Sequence, residues 1–217
     1  MRRIFCMDFD GTVTLLDSCQ AVCRKFSRTD LSLIEEKWQA GEISTRECAR
    51  LILKNLVLSP SELQKFLAEI PIDSYFKKFL TWCQKRNYPV IIISDGYDLF
   101  IKYLLKIHGI KQNFSLYCNE LRFDGKTLAG YFPYDNPSCG LHGVCKSAII
   151  DEIRKKYPNC ELNFIGDGSS DYCAAKTADV IWAKNKLAEY CRKKGIPYLE
   201  WQNFHGILKC LKNEDYR

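Results

Sequence analysis

Three short apolar runs each break off at acidic or small polar residues, and this pattern constrains the chain more than any other. Residues 3–9 (RIFCMDF) run into Asp8 and Asp10, residues 89–93 into Ser94-Asp95-Gly96, and residues 162–165 into Gly166-Asp167-Gly168. Apolar runs this short, with no polar alternation, suit strands covered on both faces. A fourth run, 180–183, follows a stretch at 171–178 that reads as a helix. Such strands alternating with helices predict an α/β fold, a Rossmann-like parallel sheet with helices on both sides. Ligands of these sheets lie beyond the carboxyl ends of the strands, where all three polar clusters fall.

Residues 17–71 form a helical block much longer than an ordinary crossover between strands. It is expected to be an inserted helical cap, with residues 1–16 and 72–217 forming the core. Within it, Ser59-Pro60-Ser61-Glu62 combines an N-cap, a first-turn proline and a capping glutamate, opening a helix that carries Leu63, Phe66 and Leu67. Residues 114–132 predict a β-hairpin near the active site, turning at Asp124-Gly125.

The net charge is +6, but lysines and arginines are scattered among acids, and Arg154-Lys155-Lys156 and Arg192-Lys193-Lys194 read as solvated helix faces. This balance suits a small anionic substrate. It lacks the basic tracts and interleaved aromatics of a nucleic-acid groove, so no nucleic-acid partner is expected. The longest apolar run falls far short of the roughly 20 residues that a bilayer requires. Met1-Arg2-Arg3 leads into apolar residues that stop at Asp8, so neither a membrane span nor a secretory leader is expected. Twelve cysteines are many for 217 residues, yet Cys6, Cys83 and Cys173 fall in apolar stretches where a thiol acts as a small core residue. A reducing cytoplasm is the expected location.

Asp8-Phe9-Asp10-Gly11-Thr12 carries two carboxylates two residues apart, on one face if strand geometry continues. A divalent cation is the natural means of holding them together, and Mg²⁺, with its preference for oxygen, would let a carboxylate approach a phosphate. Gly11 would permit a sharp turn. One carboxylate can attack phosphorus while the other protonates the leaving oxygen and later takes a proton from water. The Ser94 hydroxyl and the N–H groups of Asp95 and Gly96 suit a phosphate oxygen, and Lys146 adds a cation that offsets charge in the transition state.

The ordered set of Asp8 to Thr12, Ser94, Lys146 in Gly143-Val144-Cys145-Lys146, and Asp167 to Asp171 in GDGSSD resembles the haloacid dehalogenase superfamily. The second acid, Asp10, favours a phosphatase, since a dehalogenase has no alkoxide to protonate. The resemblance implies that Asp8 is the nucleophile and Asp10 the general acid and base. Ser94 and Lys146 would hold phosphate oxygens, with Asp95 and Gly96 beside them. Asp8, Asp10, Asp167 and Asp171 would form the Mg²⁺ site, Asp171 supporting the metal or orienting Lys146. Asp95 departs from the pattern, because relatives commonly carry glycine there, and it adds a negative charge unless its side chain points away.

The cap position resembles the phosphoserine phosphatase-like branch. Within that branch DFDGTVTLLDS, YCNELRFDG, the cysteine-rich loop before CKSAII and GIPYLEW resemble the methionine-salvage phosphatases acting on 2-hydroxy-3-keto-5-methylthiopentenyl-1-phosphate. Arg50 falls roughly where phosphoserine phosphatases carry an arginine for the substrate carboxylate; Arg46, or a merely solvated Arg50, is an equal alternative. The substrates left open are the enol phosphate, phosphoserine, and another small phosphomonoester such as phosphoethanolamine, phosphocholine or pyridoxal phosphate. A carboxylate-binding arginine would favour phosphoserine, and an apolar cap pocket the enol phosphate. A non-catalytic phosphometabolite or metal-binding module is the alternative of another class. Cys139, His142 and Cys145, with Cys118, offer zinc ligands at a spacing unlike a standard finger; free thiols in a loop are the alternative. His108 before Gly109 reads as a helix C-cap, and Trp38, Trp82 and Trp201 as core or interface residues.

Overall fold

The computed structural model describes residues 2–111, 114–125, 127–136 and 142–214. At the centre of the sheet, β1 (Arg2–Met7) pairs in parallel with β2 (Val90–Tyr97) on one side and β5 (Cys160–Gly166) on the other. Beyond β2 lie β3 (Ser115–Asp124) and β4 (Thr127–Tyr131), and beyond β5 lie β6 (Val180–Ala183) and β7 (Leu199–Glu200). All pairings are parallel except the β3 and β4 hairpin, where Asp124 faces Thr127 and Gly125 takes a positive φ of 61°.

The unbroken apolar run of β1 follows from its two covered faces. Phe5 and Met7 pack into one core layer with Phe79, Ile101 and Phe204, and Ile4 and Cys6 into another with Ile150, Phe164 and Leu187. A strand with period-two side chains and helices on both sides has no solvent face to make polar.

Between β1 and β2 the chain forms α1 (Ser18–Phe26), α2 (Ser32–Gln39), α3 (Thr45–Asn55), α4 (Pro60–Leu67) and α5 (Phe76–Lys85). The strands that enter and leave the first four helices run side by side. Thr14 bridges Ile72, the Leu15 N–H donates to Pro71 O (3.0 Å), and the Asp73 N–H donates to Val13 O (2.9 Å). The expected capping box is present at α4: the Ser59 N–H donates to Glu62 Oε2 (2.8 Å) and the Glu62 N–H to Ser59 Oγ (3.3 Å). α6 (Asp98–Ile107) ends at His108 with Gly109 at φ 63°. α5, α6 and α9 (Phe204–Glu214) cover one face of the sheet, and α7 (Lys146–Lys156) and α8 (Asn185–Lys194) the other.

Two expectations differ from the structure. The stretch expected as a helix at 171–178 forms two short 3₁₀ turns, Ser169–Asp171 and Ala174–Lys176, because the Asp171 side chain folds back on the N–H groups of Asp167 and Gly168. Of the tryptophans expected in the core or at an interface, Trp82 and Trp201 are buried in the core, and Trp38 on α2, 39% exposed, is not. Among the described residues no helix is long and apolar enough to cross a membrane.

Asp73 is buried where the helical block rejoins the core. Its carboxylate accepts the N–H of Tyr75 (2.8 Å) and, across 131 residues of sequence, that of Phe204 at the start of α9 (2.9 Å). Removing this acceptor strands two donors, so Asp73→Ala is expected to lower stability by about 2–4 kcal/mol in urea unfolding, and Asp73→Asn by about half as much.

Candidate active site

At the end of β1 the Asp8 N–H donates to Ile165 O (3.0 Å), extending the pairing with β5 by one residue. The chain then closes on itself: the Phe9 carbonyl accepts the N–H groups of Thr12, Val13 and Thr14 at 3.2, 2.8 and 3.0 Å. Gly11, at φ 73°, is the pivot of this loop, and a Cβ there would lie 2.5 Å from Asp167 Oδ2. Backbone conformation and space both demand glycine, and the tight turn brings the β1 motif against the carboxylate beyond β5.

Lys146, the first residue of α7, is fully buried. Its Nζ lies 2.8 Å from Asp8 Oδ1, 2.5 Å from Asp171 Oδ1 and 3.3 Å from Ser170 Oγ. Burial works against its charge, but the surrounding carboxylates of Asp171, Asp8 and Asp95 outweigh burial and hold the ammonium protonated. The other oxygen of Asp171 accepts the N–H groups of Asp167 (2.9 Å) and Gly168 (3.0 Å). Asp167 accepts the Thr12 hydroxyl (3.0 Å). Burial pushes the Asp8 carboxyl well up against the pull of Lys146, and it pushes Asp167 up as well, with Asp171 adding to both.

The four carboxylates expected around a metal fall into two groups. Oxygens of Asp8, Asp167 and Asp171 lie within 4.8 Å of one another, whereas Asp10 groups with Asp17 and Cys19. Asp10 Oδ1 accepts the Ser18 N–H (2.8 Å). Its pKa is pushed up to about 7 by burial and then by Asp17, with the Ser18 bonds and Lys146 opposing. A carboxyl so poised can release and recover a proton near neutrality.

Ser94 is buried in β2, just past Ile93 where the pairing with β3 becomes irregular, and its Oγ accepts the Gly96 N–H (3.0 Å). That bond commits one expected backbone donor and leaves the hydroxyl proton to turn elsewhere. A Cβ at Gly96 would lie 2.6 Å from Asp10 Oδ2, so glycine is what admits the Asp10 side chain. Asp95 turns its carboxylate away from Asp8 and Asp10: one oxygen accepts the Val144 N–H (2.8 Å) and the other faces His142 Nδ1 (3.4 Å).

Asp8, Asp10, Ser94, Asp95, Gly96 and Asp167 line one cavity of about 890 Å³ at the carboxyl edge of the sheet. The structure does not bring Arg50 there. It lies on an exposed position of α3, outside the lining of this cavity and of the adjoining one of about 780 Å³ beneath the helical block. Arg46 pairs with Asp135. Cys139 lies outside the described residues; His142 faces Asp95, and no group of three metal ligands among the described residues includes His142, Cys118 or Cys145. Sequence reasoning missed Lys184, which lines the main cavity with its ammonium 4.0 Å above the Trp201 ring.

Residues 3–190 match the protein family described as Putative Phosphatase. The chain is similar to a 2-hydroxy-3-keto-5-methylthiopentenyl-1-phosphate phosphatase of Bacillus cereus, 30% identical over 215 residues that cover 97% of this chain and 96% of the relative. A protein of the same description from Bacillus thuringiensis is 31% identical over 219 residues, covering 97% and 96%. Among solved structures the fold is similar to a phospho-aspartyl intermediate analogue of phosphoserine phosphatase, with a TM-score of 0.70 at 18% identity, covering 96% of this chain and 98% of that one.

The raised Asp10 carboxyl has a consequence for stability. A folded-state pKa of about 7 lies above the unfolded value near 4, so the group favours the folded state below about pH 4 and this contribution is lost as pH rises through about 7. In the presence of a chelator, Asp10→Asn is expected to gain thermal stability relative to the unsubstituted protein as pH rises from 5 to 8. A difference in melting temperature that stays constant over that range would contradict the assignment.

Proposed function

The chain belongs to the Putative Phosphatase family, within the haloacid dehalogenase superfamily, and we propose that this phosphoric monoester hydrolase acts through an aspartyl phosphate formed on Asp8. The observation that carries the proposal is the buried chain Asp8, Lys146, Asp171 opening, beside Asp10, into a cavity wide enough for a small phosphorylated metabolite.

The donor set fits Mg²⁺, a hard cation that takes oxygen ligands. Asp8 and Asp167 would hold it, since Asp171 is engaged with Lys146 and two N–H groups and Asp10 with the Ser18 N–H. When bound, Mg²⁺ supplies positive charge that keeps Asp8 ionised and lowers its repulsion from the phosphate.

The Asp8 carboxylate forms a bond to phosphorus as the ester P–O bond breaks, and the departing alkoxide takes the proton of Asp10. Asp10, now ionised, takes a proton from the water that attacks phosphorus. That attack breaks the Asp8–phosphorus bond and frees orthophosphate. Lys146 and the Ser94 hydroxyl hold the phosphoryl oxygens, and their burial strengthens that attraction relative to water.

Residues 17–71 form the cap in this proposal. The cavity beneath it is walled by Cys19, Cys23, Cys48, Ile52, Leu53 and Tyr97, with Asp17 and Glu35 as acidic neighbours of the thiols. Arg24 and Lys186 line the same cavity, so its charge is mixed; its apolar stretch suits an uncharged thioether tail, which supports the methionine-salvage enol phosphate over phosphoserine.

Asp8→Asn is expected to lower kcat by about 10⁴-fold or more and to abolish trapping of the aspartyl phosphate. Asp10→Asn should slow both half-reactions by about 10²- to 10⁴-fold while leaving the nucleophile able to react. Hydrolysis of p-nitrophenyl phosphate and acid-quench trapping check both; full activity in Asp8→Asn would overturn the nucleophile assignment. Mg²⁺ should raise the melting temperature at pH 7.5, and Asp167→Asn should erase that rise. In a substrate panel the enol phosphate should exceed phosphoserine in kcat/KM by at least about tenfold.

A further inference from the structure

Asp95 ties together two segments that are far apart in sequence. It follows Ser94 directly in the irregular last part of β2, and its carboxylate accepts the N–H of Val144, two residues before Lys146 opens α7. The other carboxylate oxygen faces His142 Nδ1 at 3.4 Å. The backbone of Asp95 is itself fastened, since its carbonyl accepts Asn119 Nδ2 (2.6 Å). Gly143 lies against the same Asn119 amide, where a Cβ would come within 2.8 Å of both amide heteroatoms. The Cys145 N–H to Tyr134 O bond (3.0 Å) and the contact of Asn136 Nδ2 with Cys145 Sγ (3.7 Å) fasten the segment before α7 further.

We propose that Asp95 is a positioning residue, whose hold on the Val144 N–H fixes the spacing between Ser94 and Lys146 around the phosphoryl group. The proposal rests on the phosphatase mechanism above. It accounts for a carboxylate beside an anion-binding site: the charge is turned onto a backbone donor and an imidazole, away from the incoming phosphate. A displacement of Lys146 by an ångström or less is enough to weaken catalysis severely, because the transition state needs its charge at one place.

The test uses Mg²⁺-dependent hydrolysis of p-nitrophenyl phosphate, with amide hydrogen exchange of peptides spanning 142–146 as a second readout. Asp95→Ala should lower kcat by about tenfold to a hundredfold with KM within about threefold, and should speed exchange at the Val144 amide. Asp95→Asn keeps an acceptor for that amide and should restore both kcat, to within about threefold, and protection. His142→Ala should cost less than about threefold, because the hydrogen bond to Val144 remains. An Asp95→Asn protein as impaired as Asp95→Ala, a loss confined to KM, or unchanged exchange in Asp95→Ala would each overturn the proposal, the first two in favour of direct contact with substrate. An unsubstituted protein with no phosphatase activity would remove the mechanism itself, and with it the role of Asp95; normal activity with unchanged exchange would remove the role of Asp95 alone.

Discussion

A fully buried ammonium held between two carboxylates organises this protein's chemistry. Taking the Lys146 charge out of water is costly, and the oxygens of Asp8 and Asp171, at 2.8 and 2.5 Å, do most to offset that cost. Those three groups come from β1, from the start of α7 and from the turn after β5, so the ion cluster forms only when the sheet is assembled. Glycines make room for it. A Cβ at Gly11 would strike Asp167 and one at Gly166 would lie 2.5 Å from Asp171 Oδ2. Removing either carboxylate would leave a buried positive charge poorly compensated, so the same contacts that hold the proposed nucleophile also bear on stability.

The parallel sheet explains why these groups meet. β1 lies in the middle and is covered on both faces, and its neighbours β2 and β5 end at the same edge. Each strand delivers a polar cluster there: Asp8 and Asp10, Ser94 to Gly96, and Gly166 to Asp171. The helical block leaves the core at the Thr14 bridge and returns at Ile72, so it covers this edge without interrupting the sheet register. The same α/β frame separates the two acids of the first motif. Asp8 joins Lys146 and Asp171, whereas Asp10 turns toward the Ser18 N–H at the start of α1. In the proposed mechanism the first carboxyl attacks and the second exchanges protons.

Much of this was legible in the sequence because it depends on local patterns. Short apolar runs identify buried strands, Ser59-Pro60-Ser61-Glu62 identifies a helix start, and Asp124-Gly125 a hairpin turn. What failed to read correctly depends on long-range partners. The 171–178 stretch has helical periodicity, but Asp171 spends an oxygen on the N–H groups behind it, and the backbone tightens into 3₁₀ turns. For Arg50 the sequence left a substrate ligand and a solvated side chain open, and the rotation of α3, which turns Cys48, Ala49 and Ile52 to the cavity and leaves Arg50 exposed, favours the second. Lys184 gave no signal at all, since one lysine among many acquires meaning only when an indole lies beneath it.

By itself the sequence determined the type of fold and the kinds of groups at its active edge, because strand burial, helix capping and turn formation are settled by residues close in the chain. Only the tertiary structure decided what each group does. Whether Asp10 faces a metal site or an N–H, whether Asp171 serves a cation or a lysine, and whether Asp95 burdens a phosphate or clasps Val144 all turn on distances of a few ångströms between segments up to about 160 residues apart. Coulombic and hydrogen-bond energies change over that scale, and no spacing along the chain encodes it.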